Sequence, residues 1–193
     1  MQTANMSPAM KPTWRRAFIA LWPGPDSRQR LAQSRPPATP GVRPIHPDDL
    51  HLTLAFLGDL NDVTAATLVA RLRDVTWTAL ALDSQPSERW PATSPARVLV
   101  LPFATTTDLL HLHDAVRAAV RSAALPVETR AYRPHVTLAR LARGASAEPS
   151  ACPAGARFVQ MALCHGLDAP AGEPRYRLIA ALPAAGAGPC SPS

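Results

Sequence analysis

Two short stretches of this chain carry the same pair of reactive side chains at the same spacing: His51-Leu52-Thr53-Leu54 and His135-Val136-Thr137-Leu138. On an extended strand, residues two apart project from one face. Each stretch therefore offers a histidine and a threonine to one side, while Leu52, Leu54, Val136 and Leu138 fill the other. With unperturbed pKa values of about 6.5, one imidazole can be neutral and its counterpart cationic near neutral pH, so a facing pair supplies both a general base and a general acid. Opening a cyclic phosphodiester by in-line displacement needs that combination, with a proton taken from the nucleophile on one side of phosphorus and one given to the leaving oxygen on the other. The threonine hydroxyls would donate to the non-bridging oxygens, where charge builds. Arginine would add fixed positive charge and forked donors.

The rest of the composition fits such a site. The chain has 193 residues, of which 47% are hydrophobic, enough for one domain or two small lobes sharing a core. Its formal charge is +6, and all of the 20 basic residues except Lys11 are arginine, which favours an anionic partner such as phosphate or nucleic acid. Cys152, Cys164 and Cys190 form no C-x-x-C pair and leave one over, which argues against a disulfide framework and against a zinc site. A reducing cytoplasm suits them. The apolar run Ala17 to Trp22 is too short for a signal-peptide core or a membrane span.

Residues 1–13 are polar and proline-punctuated and are expected to be a tail, as are residues 184–193, leaving a single domain over 14–183. Ala17 to Leu21 reads as a buried strand, followed by a short helix capped by Asp26 or Ser27 and ending before Pro36. Five prolines between residues 36 and 49 mark a loop that delivers the first histidine strand. A helix capped by Asn61 or Asp62 follows, with Ala65, Leu68, Val69 and Leu72 on one stripe. Trp77–Leu82 and Arg97–Leu101 read as strands, and Thr107–Ala124 as a helix with Leu109, Leu112, Val116, Val120 and Ala123 inward. Residues 142–156 form a loop, and Phe158–Leu163 and Arg175–Leu182 a closing strand pair. The order strand, helix, histidine strand occurs twice. Phe18 precedes His51 by 33 residues and Phe103 precedes His135 by 32, so two similar halves each contribute one histidine.

These features resemble the two-histidine phosphoesterase superfamily, and within it the LigT-like RNA 2′,3′-cyclic phosphodiesterases, also called 2′-5′ RNA ligases. The resemblance runs from about residue 15 to 182. It is carried by Asp49 to Gly58 and Arg133 to Arg140, with support from Arg16 to Leu21 and Gly172 to Tyr176. It implies an α+β, LigT-like two-lobed fold of two small, mainly antiparallel sheets with outer helices around a basic groove. It also implies metal-independent opening of a 2′,3′-cyclic phosphate, on an RNA end or nucleotide, to a 2′-phosphate, with no cofactor. His51 would be the donor to the leaving 3′-oxygen and His135 the acceptor that activates water; Thr53, Thr137 and Arg140 would bind phosphate. Simple alternation puts Arg140 on the face opposite His135 and Thr137, so a strand end or bulge must re-aim it. The same site run in reverse would join RNA ends through a 2′-5′ linkage. A reading of another class is an RNA-binding module without turnover, although binding alone would not require two titratable groups on opposite walls. A monomer is expected.

The other histidines read as ordinary. His111 and His113 point to different faces of a helix, His46 lies in the proline-rich loop, and His165 ends a strand without a partner. Phe56 and Tyr132 are candidates for stacking on a base, although a core or edge position is the commoner fate of such residues.

Overall fold

The computed structural model describes residues 13–92, 95–149, 151, 153–170 and 172–185, so Cys152, Cys190 and nearly all of both expected tails lie outside it. Strand β1 (Trp14–Pro23) is covered on both faces, Ala17, Ile19 and Leu21 lying in the main core and Phe18 and Ala20 in a smaller cluster with Ala162 and Cys164, which explains the uninterrupted apolar run. Helix α1 (Pro25–Gln33) begins two residues earlier than a cap at Asp26 would place it. Gly24 is its N-cap, without a side-chain bond, and Pro25 stands in the first turn, where its missing N–H is no loss. Ser27 is buried and is used differently from the expected cap, its hydroxyl accepting the Arg157 N–H at 2.9 Å.

The proline-rich loop contains a three-residue strand, β2 (Val42–Pro44), and a 3₁₀ turn at Pro47–Asp49. Strand β3 (Leu52–Leu60) leads to helix α2 (Asp62–Arg73), where the Asn61 side chain accepts the Thr64 N–H and Ala65, Leu68 and Leu72 are buried. Trp77 is buried, yet strand β4 runs only from Leu80 to Asp83. Strand β5 (Glu88–Trp90), invisible in the sequence pattern, pairs with β6 (Val98–Pro102). Helix α3 (Thr107–Ser122) is capped by the Thr106 hydroxyl and buries Leu109, Leu112, Val116, Ala119 and Val120. Strands β7 (His135–Leu141), β8 (Gly155–Gly166) and β9 (Tyr176–Pro183) complete the chain. Strand β8 starts earlier than its hydrophobic residues indicate. A Cβ at Gly155 would lie 2.5 Å from the Leu82 carbonyl oxygen, and glycine permits that close approach to β4.

All pairings are antiparallel, and the sheet order is β4-β8-β1-β3-β7-β6-β5, with β2 added to β7 and β9 to β8. The long β8 takes β4 along its first part and β9 along its last. The expected repeat is present: β1-α1-β3 and β6-α3-β7 each place the histidine strand beside the strand that opens the half. Strands β3 and β7 meet through one pair of residues, Leu52 and Val136, both fully buried, while β2 pairs with β7 and Ser84 bridges to Phe103 farther out. The two-lobed architecture is thus two antiparallel half-sheets meeting where the His-x-Thr stretches cross. Among the described residues no helix is long and apolar enough to cross a membrane.

Candidate active site

The Leu52–Val136 pair fixes the arrangement of the reactive groups. In an antiparallel register, the residue before Leu52 lies across from the residue after Val136. His51 therefore stands opposite Thr137, and Thr53 opposite His135. Because Leu52 and Val136 point into the core, as do Leu54 and Leu138, the four polar side chains share the other face and line one groove of about 600 Å³. The order of groups around it is crossed, each histidine facing the other half's threonine.

Both strands bulge at the same place. Along β1 and β3, Ile19 pairs with Ala55 but Ala20 with Thr53, so Leu54 is the extra residue. Along β6 and β7, Leu99 pairs with Ala139 and Val100 with Thr137, so Leu138 is extra. An extra residue reverses the alternation beyond it. In β7, Leu138 and Ala139 are both buried and Arg140 emerges on the groove side, together with His135 and Thr137. This is the re-aiming that Arg140 required. Its positional counterpart in β3 is Phe56, which is 61% exposed and also lines the groove.

Each imidazole is held by its own backbone. Nδ1 of His51 lies 2.6 Å from the Asp49 carbonyl oxygen, and Nδ1 of His135 lies 2.7 Å from that of Arg133. A carbonyl only accepts, so Nδ1 carries the proton and, in the neutral ring, Nε2 keeps the free lone pair. His51 sits among aromatic rings: Phe18 stacks on it with centroids 4.9 Å apart, and Trp22 and Tyr176 lie at 5.2 Å. Trp90 packs on His135 at 4.6 Å and carries the Arg133 guanidinium 4.0 Å above its ring, with Glu88 bonded to both.

These surroundings disfavour the imidazolium. Loss of water pushes His51 down to about 4, against the pull of the Asp49 carbonyl, and the charges of His135 and Arg140 add to the depression. His135 is also lowered, first by burial and then by Arg133, with its carbonyl contact opposing. The expectation of one neutral and one cationic ring near neutral pH is thus corrected for the free groove, in which both are neutral.

The sequence pattern did not single out the supporting residues. Trp90 is on an unrecognised strand, and Phe18, Trp22 and Tyr176 read as strand residues. Asp49 is buried, its carboxylate accepting the Arg175 N–H at 2.7 Å, and burial raises its pKa. The adjacency of Asp49 to His51 and the Gly172–Tyr176 stretch were the available signals. A second cavity, of about 540 Å³, adjoins the groove across Thr53, Phe56 and His135, and Tyr132 and Arg117 line it. Tyr132 stacks on His113 at 3.9 Å and donates to the Thr53 carbonyl at 3.3 Å. His46 caps the turn before His51 by accepting the Asp48 N–H, His111 is exposed, and His165 packs on Trp14. Among the described residues no three His, Cys, Asp or Glu side chains are grouped to hold a metal ion.

Two antiparallel half-sheets that share a groove between crossed His-x-Thr strands form a LigT-like fold. Escherichia coli LigT, solved in complex with 3′-AMP, superposes with a TM-score of 0.71 at 23% identity, over 90% of this chain and 99% of that one. The protein TT0787 of Thermus thermophilus gives 0.72 at 23% identity, over 87% and 97%. The model of the LigT-like phosphoesterase family matches residues 21–95, which include the first His-x-Thr stretch. Proteins named RNA 2′,3′-cyclic phosphodiesterase from Archaeoglobus fulgidus and Aeropyrum pernix are 24% identical over 103 residues and 27% identical over 101. Those alignments cover 53% and 52% of this chain, and they span 58% and 57% of the relatives' length, little more than half. The chain is thus similar to the LigT-like phosphoesterase family over residues 21–95, and its fold is LigT-like.

Proposed function

We propose that the protein opens 2′,3′-cyclic phosphates at RNA or nucleotide ends to 2′-phosphates by two-histidine acid–base catalysis without a metal. The observation that carries this reading is the crossed arrangement of His51, Thr53, His135 and Thr137 around one groove, with both Nε2 atoms left for proton transfer. His135 Nε2 takes a proton from water as its oxygen forms the new bond to phosphorus. The bond from phosphorus to the 3′-oxygen breaks, and His51 Nε2 gives its proton to that oxygen. The two rings end with exchanged protonation and reset through solvent. Thr53, Thr137 and Arg140 donate to the non-bridging oxygens, where preorganised donors lower the barrier most. The substrate phosphate is anionic, and its charge beside His51 raises the affinity of that ring for the proton it must donate. The names of the two archaeal relatives support the substrate class.

The test is hydrolysis of adenosine 2′,3′-cyclic phosphate in EDTA from pH 5 to 9, with the product isomer identified. For the free enzyme, kcat/KM requires His135 neutral and His51 protonated. Both proton affinities are lowered, so the bell-shaped profile should peak below 6.5 with a 2′-phosphate product. A 3′-phosphate product would reverse the assigned leaving group. Activity abolished by EDTA and restored by a metal would overturn the mechanism.

A further inference from the structure

Strand β2 places Arg43 directly across from Arg140 in the β2–β7 ladder. Like charges opposite each other on adjacent strands oppose the pairing. Arg175 joins them from the segment before β9, so three guanidinium groups line both the groove and a small recess of about 140 Å³ next to it. Two other arginines of the site are matched: Arg16 pairs with Asp168 at 2.8 Å, and Arg133 with Glu88 at 3.1 Å. Among the described residues none of the three clustered arginines forms an ion pair. The carboxylates of the recess are Asp49 and Glu173. Asp49 is buried and bonded to the Arg175 backbone, while Glu173 is exposed. Burial lowers the proton affinity of Arg43, and the charges of Arg175 and Arg140 lower it further, as expected for cations crowded together without an anion.

We propose that Arg43, Arg140 and Arg175 form a second anion site beside the two histidines, which takes a phosphate on the 5′-oxygen of the nucleoside whose cyclic phosphate is opened. This inference rests on the proposed phosphodiesterase reading. Arg140 lies between the two phosphates, and Arg43 and Arg175 serve the outer one. The substrate class then narrows from any nucleoside 2′,3′-cyclic phosphate to ends that carry a phosphate at the 5′ position, whether a terminal monoester or the phosphodiester of an RNA strand. A nucleoside with a free 5′-hydroxyl leaves the outer arginines unmatched.

The experiment compares kcat/KM for three substrates: adenosine 2′,3′-cyclic phosphate, its 5′-phosphorylated form, and the dinucleotide ApA ending in a 2′,3′-cyclic phosphate. Charge-assisted contacts to one more phosphate should favour at least one of the last two by about tenfold to a hundredfold. In the double variant Arg43→Gln, Arg175→Gln that preference should fall to within about threefold of parity. Parity in the wild type, or a preference that survives in the variant, would overturn the site. If none of the substrates turns over, the phosphodiesterase reading fails and pyrophosphate decides the anion site separately. A rise in the thermal midpoint with millimolar pyrophosphate that the variant loses supports the site, and an equal response in both proteins refutes it. Without ligand, the variant should melt no lower than the wild type, because it relieves crowded charge.

Discussion

Acidification should destabilise the fold through His51 in a defined window. In the unfolded chain this imidazole titrates at its ordinary 6.5; in the folded protein it is pushed down to about 4 by the rings of Phe18, Trp22 and Tyr176 and the loss of water they cause. Above 6.5 the ring is neutral in both states and contributes no pH dependence. Between 6.5 and 4 the unfolded chain binds a proton that the folded chain does not, so stability is lost as pH falls; below 4 both states are protonated and the loss levels off. At 1.36 kcal/mol for each tenfold change in proton affinity, the full loss is about 3 kcal/mol. The assay is urea denaturation at pH 7, 5.5 and 4 for the wild type and His51→Gln, which keeps a neutral polar side chain and removes the titration. Every other side chain is common to the two proteins, so the difference between the two curves isolates His51. Equal pH dependence, together with a His51 NMR titration near 6.5, would refute the reasoning that the aromatic box excludes the imidazolium.

Other consequences are direct. His51→Ala and His135→Ala should each lower kcat by at least about 10²-fold with the fold retained by circular dichroism, since each removes a proton-transfer step. Wild-type rates in either variant would reject the acid–base assignment. Thr53→Ala or Thr137→Ala should lower the rate less than either histidine variant in the same steady-state assay. Leu138→Ala should cost about 2–5 kcal/mol of stability in urea denaturation, because Leu138 is fully buried at the bulge. An effect under about 0.5 kcal/mol, the range of ordinary surface substitutions, would mean that this position is not the packed anchor described here.

The parts of the fold that repeat a strong local signal were legible in advance. Asn61 caps α2 and the apolar stripes of α2 and α3 are buried, because cap chemistry and helical periodicity act within a few residues. His51, Thr53, His135 and Thr137 meet as expected because strand alternation is equally local. Strand β5 was not legible: three residues, Glu88 to Trp90, carry no period, and their conformation is set by pairing with β6. The short β2 was hidden among prolines for the same reason. The groove position of Arg140 depended on a bulge that no residue type announces, since Leu138 would serve as well in a regular strand. The proton affinities were misjudged because the rings that dry out His51 come from β1 and the start of β9, far from it in sequence.

The single pair Leu52–Val136 between β3 and β7, the two histidine strands, has a mechanical consequence. A ladder of many hydrogen bonds would lock the spacing between proton donor and acceptor into the backbone. With one pair between these strands, that spacing rests also on the volumes of the side chains packed beneath it. The reach of the site across a phosphate is therefore adjustable from the core, by substitutions that never touch the ligand.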